Sequence, residues 1–247
     1  MFLFLFPVII FFFALICEFI DSHLGGGYGT ILTPVFLMLG ISRMTIVHSI
    51  LISEIITGFQ GGAIYHSFKK VDFKSCNYLS ITAGIGSIIG TLIAITVPSS
   101  AIKIYIAFLV LILGLMMILK VRARKYKPKR ALSIGSFIGF NKALTGGGFG
   151  PVAVAGLSAS GMETKKSLGT TLLAEGITCV ISLMLYLALG KISIVPSFLI
   201  PLIMGAIIGC YIGGNTSKKT KSRSLYKRVG IMLLCIGIFM VIKELVL

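Results

Sequence analysis

One glycine-rich block occurs twice in this chain, and the two copies lie 121 positions apart. The first copy is Leu24-Gly-Gly-Gly-Tyr-Gly-Thr30, and the second is Thr145-Gly-Gly-Gly-Phe-Gly-Pro151. A repeat of this length predicts two copies of one structural unit. We place the first repeat at residues 1–121, a basic linker at 122–130 and the second repeat at 131–247, and we expect them to form one membrane domain. The same displacement pairs, without a gap, Gly40 with Gly161, Glu54 with Glu175, Tyr65 with Tyr186, Lys70 with Lys191, and Gly84 with Gly205.

The composition restricts the chain to the class of integral membrane proteins. Hydrophobic residues make up 56% of it and charged residues only 12%, a balance that soluble domains do not approach. A net charge of +16 raises the alternative of nucleic-acid binding. The basic residues, however, lie in short runs between apolar segments, where they orient the chain and contact anionic lipids. We therefore expect a multi-pass protein of the cytoplasmic membrane, with membrane lipids as partners and no nucleic acid.

The glycine blocks divide each repeat into a broken segment and three full spans. Three adjacent glycines disfavour a straight helix, so the segments at 2–40 and 131–160 should each consist of two helical pieces with an irregular break. The spans that follow have lengths that fit the hydrocarbon core of a bilayer. They lie at 42–67, 75–97 and 101–119 in the first repeat, and at 162–189, 194–213 and about 229–246 in the second.

The distribution of Lys and Arg favours an inverted arrangement of the two repeats. If each broken segment is a re-entrant hairpin that enters and leaves on one face, the cytoplasmic side collects 18 basic residues and the outside four. In the alternative, each broken segment crosses once, which gives eight spans in two parallel repeats and separates the basic runs at 120–130 and 218–228. We therefore expect an all-α membrane protein with two inverted repeats, each a glycine-broken helix pair plus three transmembrane helices.

Two glycine breaks related by inversion should meet near the middle of the membrane. Irregular backbone at that depth is stable only where protein buries it or where it lines an aqueous cavity. The helical pieces after the breaks would direct free N–H groups and positive dipole ends at this point, which makes an anion site. The alternatives are that the glycines only permit close packing and that Lys142 extends towards the lipid interface. The candidate substrate-binding residues are Gly25, Gly26, Gly27, Gly29, Asn141, Lys142, Thr145, Gly146, Gly147, Gly148 and Gly150.

Glu54 and Glu175 form the second candidate constellation, because each is an acidic residue near the middle of a predicted span. One interpretation is that they couple transport to protons or cations; the other is that they hold the N–H groups of the glycine breaks. No metal site and no cofactor are expected, because the five cysteines stand singly and no histidine lies near them at metal-ligand spacing. Motifs for nucleotide binding and nucleophilic catalysis fail at essential positions, so we do not expect an enzyme.

The paired Gly-Gly-Gly-aromatic-Gly blocks, each followed after ten residues by Gly40 or Gly161, resemble the sulfite exporter TauE/SafE family, also called toluene sulfonate uptake permeases. The stretch from Gly139 to Pro151 and the run Lys165-Lys-Ser-Leu-Gly-Thr-Thr carry the resemblance most specifically. The resemblance implies transport of sulfur-containing or small organic anions, such as sulfite, sulfoacetate or sulfonates, driven by an ion gradient. The polar approach to the second block is absent from the first, so the two breaks need not have equal roles.

The sequence therefore predicts a secondary transporter that moves a small anion by alternating access around a site between the two breaks. A passive anion channel is one alternative, and a membrane subunit or enzyme without transport activity is the other. A homodimer is compatible with the sequence, which specifies neither the anion nor the direction of transport.

Overall fold

The computed structural model describes residues 2–119, 129–217 and 223–246, and the regular elements of these residues are ten α-helices. In the first half they are α1 Phe2–Leu24, α2 Tyr28–Met38, α3 Arg43–Ser67, α4 Phe73–Thr96 and α5 Ser99–Ile118. In the second half they are α6 Lys129–Thr145, α7 Phe149–Ala159, α8 Thr164–Ala188, α9 Pro196–Ser217 and α10 Arg223–Val246. The order of one long, one short and three long helices therefore occurs twice.

The helices confirm the predicted all-helical membrane class. Within the described residues, α1, α4, α5, α8 and α9 are long and apolar enough to cross a membrane. Large apolar side chains such as Ile81, Ile85 and Ile88 of α4 are exposed on the outer surface, as expected for surface that contacts lipid. The chain is therefore an integral multi-pass membrane protein. The predicted linker at 122–130 lies outside the described residues as far as residue 128, as do residues 218–222 of the second basic run.

Each broken segment forms the two helical pieces that the sequence predicts, α1 with α2 and α6 with α7. The second piece of each segment has 11 residues. Such a helix is about 16 Å long, roughly half of the hydrocarbon core. Gly25 has a φ of +80° and Gly146 one of +75°, values in the left-handed region that favours glycine. The first glycine of each block therefore ends the longer helix in the same way.

The long helices pack in pairs, and each pair corresponds to another pair, or to itself, when the helices of the two repeats are exchanged. Helix α1 lies along α9 and α6 lies along α4, while α5 packs against α10 and α3 against α8. Phe11 and Phe19 of α1 contact Gly205 and Gly213 of α9 in the same order along both helices, so this pair is parallel. The glycines of α9 therefore permit close contact between the two helices.

Helices α3 and α8 cross at two glycines in the centre of the molecule. A Cβ atom built on Gly58 would lie 2.7 Å from the Cα atom of Gly176, so a larger residue does not fit unless the backbone moves. Glu54 lies one turn before Gly58, and Glu175 directly precedes Gly176. The close crossing therefore brings the two glutamates near each other.

The substitution Gly58→Val should lower the temperature of thermal unfolding in detergent. The new side chain would press on the backbone of α8, and overpacking of this kind costs roughly 1–3 kcal/mol. The control is Ala63→Val in the same helix, because Ala63 is exposed on the outer surface. Equal unfolding temperatures for the two variants would contradict the close crossing.

Two contacts join helix ends from different halves of the chain. Lys70, in the turn between α3 and α4, forms an ion pair with Glu163, which directly precedes α8, at an N–O distance of 2.6 Å. Lys243, near the end of α10, donates a hydrogen bond to the carbonyl oxygen of Met38, at the end of α2, at 2.8 Å. Each contact places two helix ends at the same end of the bundle.

Candidate functional site

The two glycine breaks lie against each other in the interior of the bundle. A Cβ atom built on Gly29 would overlap the carbonyl oxygen of Gly146, and one built on Gly150 would lie 2.8 Å from the carbonyl oxygen of Gly25. Backbone therefore contacts backbone directly, and these positions have no room for a side chain. The structure brings the two blocks of candidate glycines together, as the sequence predicts.

The first break contains a carboxylate from its own helix. Asp21, in the last turn of α1, is buried, and its Oδ1 accepts a hydrogen bond from the N–H of Gly27 at 2.9 Å. The N–H of Tyr28, the first residue of α2, faces the same carboxylate. The positive end of α2 is therefore occupied by an anionic group of the protein. The N–H groups that we expected to be free at this break are engaged by Asp21.

The second break has a lysine where the first has a carboxylate. Lys142 occupies the position equivalent to Asp21. The N–H of Gly148 donates to Oγ1 of Thr30, which comes from the other break, at 3.1 Å. A hydroxyl group is neutral and can turn to donate a hydrogen bond itself. The positive end of α7 therefore meets hydroxyl groups, whereas that of α2 meets a carboxylate.

Two further candidates, Thr145 and Asn141, support the second break from α6. The hydroxyl group of Thr145 donates to the carbonyl oxygen of Asn141 at 2.8 Å and accepts from the N–H of Gly147 at 3.1 Å. The amide of Asn141 accepts from the hydroxyl group of Tyr105 at 2.5 Å and donates to the carbonyl oxygen of Phe137 at 2.7 Å. Thr145 is thus part of the break, whereas the Asn141 amide connects α6 to α5.

A small cavity lies at the second break, and its walls combine hydroxyl groups with apolar side chains such as Ile106, Leu109 and Leu113. Its lining includes Thr30, Thr33, Thr145 and Gly148, and its volume is about 10 Å³, barely enough for one water molecule. The hydroxyl group of Thr33 is buried and has no hydrogen-bond partner within the described residues. A Cβ atom built on Gly146 would lie 3.3 Å from this hydroxyl oxygen, which places it at the break. Buried polar groups are normally hydrogen-bonded, so this cavity is the candidate anion site.

Lys142 is fully buried and lies between the two candidate coupling residues. Its Nζ forms ion pairs with Oε2 of Glu54 and, at 2.8 Å, with Oε1 of Glu175. It also donates to the carbonyl oxygen of Gly146 at 3.2 Å. The lysine does not extend towards the lipid interface, which excludes that alternative. The two glutamates hold this lysine, and the N–H group of the first break is held by Asp21 instead.

The buried cluster contains more acidic than basic groups. Glu18 on α1 is fully buried, and its Oε2 has no hydrogen-bond partner within the described residues. Glu54 and Glu175 pair with Lys142, and Asp21 and Glu18 are two further buried carboxyl groups that interact electrostatically with this group within the described residues. Uncompensated buried charge is very costly. The cluster is therefore suited to taking up protons or a cation.

The sequence analysis paired Tyr65 with Tyr186 but gave them no role. The hydroxyl group of Tyr65 donates to the carbonyl oxygen of Ser22 at 2.9 Å, and that of Tyr186 donates to the carbonyl oxygen of Ala143 at 2.9 Å. Ser22 and Ala143 are themselves related by the 121-residue displacement. Each tyrosine therefore binds the carbonyl group three residues before the glycine break of its own repeat. The 121-residue displacement, which pairs the two tyrosines and the two carbonyl groups, was the sequence signal that could have identified this role.

The sequence analysis also missed the roles of three buried charged residues, Glu18, Asp21 and Arg43. Glu18 and Asp21 could have been found by the argument used for the other acidic residues, since both lie in or next to an apolar stretch. Arg43, which the topology prediction places on the outer side of the membrane, is buried within the protein. It donates to the carbonyl oxygen of Ala94 at 2.5 Å and to that of Leu144 at 3.4 Å, near the negative ends of α4 and α6.

Comparison with known proteins identifies the family. The family model described as Sulfite exporter TauE/SafE matches residues 10–240. The chain is 30% identical over 171 residues to the probable membrane transporter protein YtnM of Bacillus subtilis (strain 168), an alignment that spans 64% of this chain and 57% of YtnM. It is 20% identical over 255 residues to the probable membrane transporter protein YunE of the same strain, with 90% and 93% of the two chains covered. No solved structure gives a significant match.

Both relatives carry the names of membrane transporters rather than of enzymes. The family model extends from α1 into α10, and the helices that it covers include both glycine breaks. The chain belongs to the sulfite exporter TauE/SafE family of membrane transporters.

Proposed function

We propose that this protein is a secondary transporter for a small anion, such as sulfite, a sulfonate or a related organic anion, and that the anion binds at the second glycine break. The difference between the breaks carries this proposal. Asp21 occupies the positive helix end at the first break, whereas Lys142 takes the equivalent position at the second, where the helix end meets hydroxyl groups. An external anion would take at the second break the place that Asp21 has at the first.

The polar groups around the cavity match the needs of a small oxyanion. The oxygen atoms of sulfonates and of the sulfite dianion only accept hydrogen bonds, so their site must supply donors. Thr30 and Thr33 supply hydroxyl groups as donors, whereas the hydroxyl group of Thr145 and the N–H of Gly148 already donate to Asn141 and Thr30 in this state. Lys142 adds positive charge next to Gly146. This combination gives orientation and charge compensation without a metal ion.

The contacts between helix ends support inverted repeats with re-entrant broken segments. If α6 and α7 form a hairpin, only α4 and α5 cross the membrane between Lys70 and Glu163, which puts both on one face, as their ion pair requires. If α6 and α7 crossed once instead, three crossings would put the two residues on opposite faces. The contact between Lys243 and Met38 gives the same result, because it requires an even number of crossings between them.

We assign the coupling step to the three charged groups of Glu54, Lys142 and Glu175. With Glu54 and Glu175 both ionised, the group carries one net negative charge, which opposes entry of an anion. When one glutamate takes up a proton, the group becomes neutral and this repulsion falls. Anion binding and proton binding would thereby favour each other, as coupled transport requires.

The size of the cavity supports a protein that must change conformation for an anion to enter, as a transporter does. At about 10 Å³ it is closed to any substrate larger than water. An anion can enter only when the breaks or the helices around them move, which is the behaviour of an alternating-access protein.

The substitution Thr33→Val should remove anion binding without lowering the stability of the free protein. Its hydroxyl group has no partner in the absence of a ligand, so its loss breaks no hydrogen bond in this state. The measurement is the shift of the thermal unfolding temperature produced by sulfite, sulfate, thiosulfate and sulfoacetate, because a ligand that binds the folded state raises this temperature. We expect a selective shift for the unmodified protein and a much smaller one for the variant.

A matched control exists in Thr91→Val. Thr91, on α4, is also a fully buried threonine whose hydroxyl group has no partner within the described residues. Its variant should keep the anion-induced shift. A shift that survives in Thr33→Val, or an unmodified protein that responds to no anion, would count against binding at the second break.

A further inference from the structure

A second cavity, much larger than the first, opens at the end of the bundle where α3 ends and α8 begins. Its volume is about 470 Å³, a size typical of ligand pockets and sufficient for a small anion with its water. Its lining contains three lysines, Lys69, Lys70 and Lys165, and one glutamate, Glu163. We call it the lysine vestibule. A cavity whose lining has a net charge of +2 raises the local concentration of anions.

The floor of the lysine vestibule is a hydrogen-bonded tyrosine. Tyr65 lines the cavity with Ser217 and is itself only 1% exposed. Its hydroxyl group donates to the carbonyl oxygen of Ser22 at 2.9 Å, and its oxygen lies 2.5 Å from Oγ of Ser217. The tyrosine thereby connects the ends of α1, α3 and α9.

Behind this floor lie the buried polar groups of the site. Ser22, which Tyr65 holds, donates through its own hydroxyl group to Glu18 at 2.9 Å. On the other side, a Cβ atom built on Gly169 of α8 would lie 2.9 Å from the ring of Tyr65. Thr171 follows on the same helix, fully buried, one turn before the coupling pair, and its hydroxyl group has no partner within the described residues. Tyr65 itself packs in an apolar cluster with Val154, Leu168 and Leu172.

The equivalent tyrosine of the second repeat lies under packed protein. The ring of His48 packs edge-on against that of Tyr186 with centroids 4.4 Å apart. The backbone N–H of Ser193 donates to Nδ1 of this histidine at 3.0 Å. The side chain of Arg43 interacts with the same tyrosine. The two equivalent tyrosines therefore differ in access: Tyr65 meets a cavity, and Tyr186 meets a packed layer.

The geometry points to a second anion subsite in the lysine vestibule, with Tyr65 as the gate between this subsite and the two contacting glycine breaks. The inference deepens the proposed transport function and rests on it. In this state the Tyr65 side is closed by this hydrogen-bonded side chain and the apolar residues packed against it, and the Tyr186 side is closed as well. Opening of the Tyr65 gate requires loss of its bonds to Ser22 and Ser217.

The charge of the vestibule is tested with a cysteine at Ser67, which lines it. Cys235 is exposed and is replaced by serine in all variants. We compare the rates at which anionic and cationic methanethiosulfonate reagents, one carrying sulfonate and the other trimethylammonium, modify Ser67→Cys. Neutralising Lys69 and Lys165 together as glutamine should lower the ratio of anionic to cationic rates by about tenfold, within the range of electrostatic effects on association. An unchanged ratio would overturn the subsite.

The gate is tested with a cysteine behind it, Thr171→Cys, and the anionic reagent. Thr171 has no hydrogen bond to lose, so this change is mild. We expect modification to be slow with Tyr65 intact, several times faster in Tyr65→Phe and faster still in Tyr65→Ala. Tyr186→Phe should leave the rate unchanged because its packed layer remains, and Tyr211→Phe, at an exposed tyrosine of α9, controls for the loss of a hydroxyl group.

Two outcomes would overturn the gate. One is an unchanged rate in both Tyr65 variants, checked as folded by thermal unfolding; the other is an equal rise in Tyr186→Phe. Neither readout depends on the transported anion. If labelling gives the results expected above but no anion shifts the unfolding temperature, only the proposed binding site at the second break is contradicted. If an anion shifts the unfolding temperature but labelling does not give these results, only the subsite and the gate are contradicted.

Discussion

Replacing Lys142 with methionine should strongly destabilise the protein, with a large fall in the yield of folded material and in the temperature of thermal unfolding. The lysine is fully buried, and its Nζ pairs with both Glu54 and Glu175. Its removal leaves two buried carboxyl groups without their partner. Breaking a buried ion pair from one side costs roughly 3–5 kcal/mol, a large share of the stability of most proteins.

The origin of this effect is tested by rescue. Combining Lys142→Met with Glu54→Gln and Glu175→Gln removes every charge of the group, and replacement of buried ion pairs by neutral groups is often close to neutral for stability. The triple variant should therefore recover most of the unfolding temperature. Lys191→Met is the control for loss of a lysine, because Lys191 is exposed in the turn before α9. A single variant as stable as this control would mean that the lysine does not compensate the glutamates.

The sequence predicts the elements of the fold well because the signals are local. Apolar stretches of about 20 residues and the glycine blocks fix where helices begin, end and break. The helix from Arg43 to Ser67 and that from Thr164 to Ala188 lie within one or two residues of the predicted spans. The pairing of the breaks could also be expected, since irregular backbone cannot face lipid.

The electrostatic pairing could not be predicted in the same way. Which carboxylate meets which cation depends on the crossing of α3 and α8 at Gly58 and Gly176, a contact between residues more than 100 positions apart. The sequence indicated that Glu54 and Glu175 face the interior, but the partner of both, Lys142, lies on a third helix. Tertiary geometry at this scale is not encoded in any local pattern.

The two repeats have similar backbones at their glycine breaks but different charged side chains there. The glycines occur at equivalent positions in both repeats, and so do the hydrogen bonds from Tyr65 to Ser22 and from Tyr186 to Ala143, so the two breaks have the same backbone supports. The 121-residue displacement pairs Asp21 of one break with Lys142 of the other. At the first break Asp21 engages the N–H of Gly27, whereas at the second Lys142 pairs with Glu54 and Glu175. Under the proposed function, this difference is the reason that the transported anion binds at the second break and not at the first.

The substitution Glu175→Gln should remove the pH dependence of anion binding. In the unmodified protein the group of Glu54, Lys142 and Glu175 carries one negative charge when both glutamates are ionised, and none after one takes up a proton. Lower pH should therefore raise anion affinity. At an effective dielectric constant of about 20, a unit charge about 6 Å away changes the free energy by about 2.8 kcal/mol, or roughly 100-fold in affinity.

With glutamine in place, the group stays neutral at every pH at which the other glutamate is ionised. The variant should bind as tightly at about pH 8 as the unmodified protein binds at about pH 6. Calorimetric titration with sulfoacetate measures this, because the charge of that anion is constant over this range. Asp72→Asn, at the surface turn before α4, should retain the normal pH response. A variant of Glu175 that keeps this response would assign the proton to another of the buried carboxyl groups, Glu18 and Asp21 first, and would remove Glu175 from the coupling step.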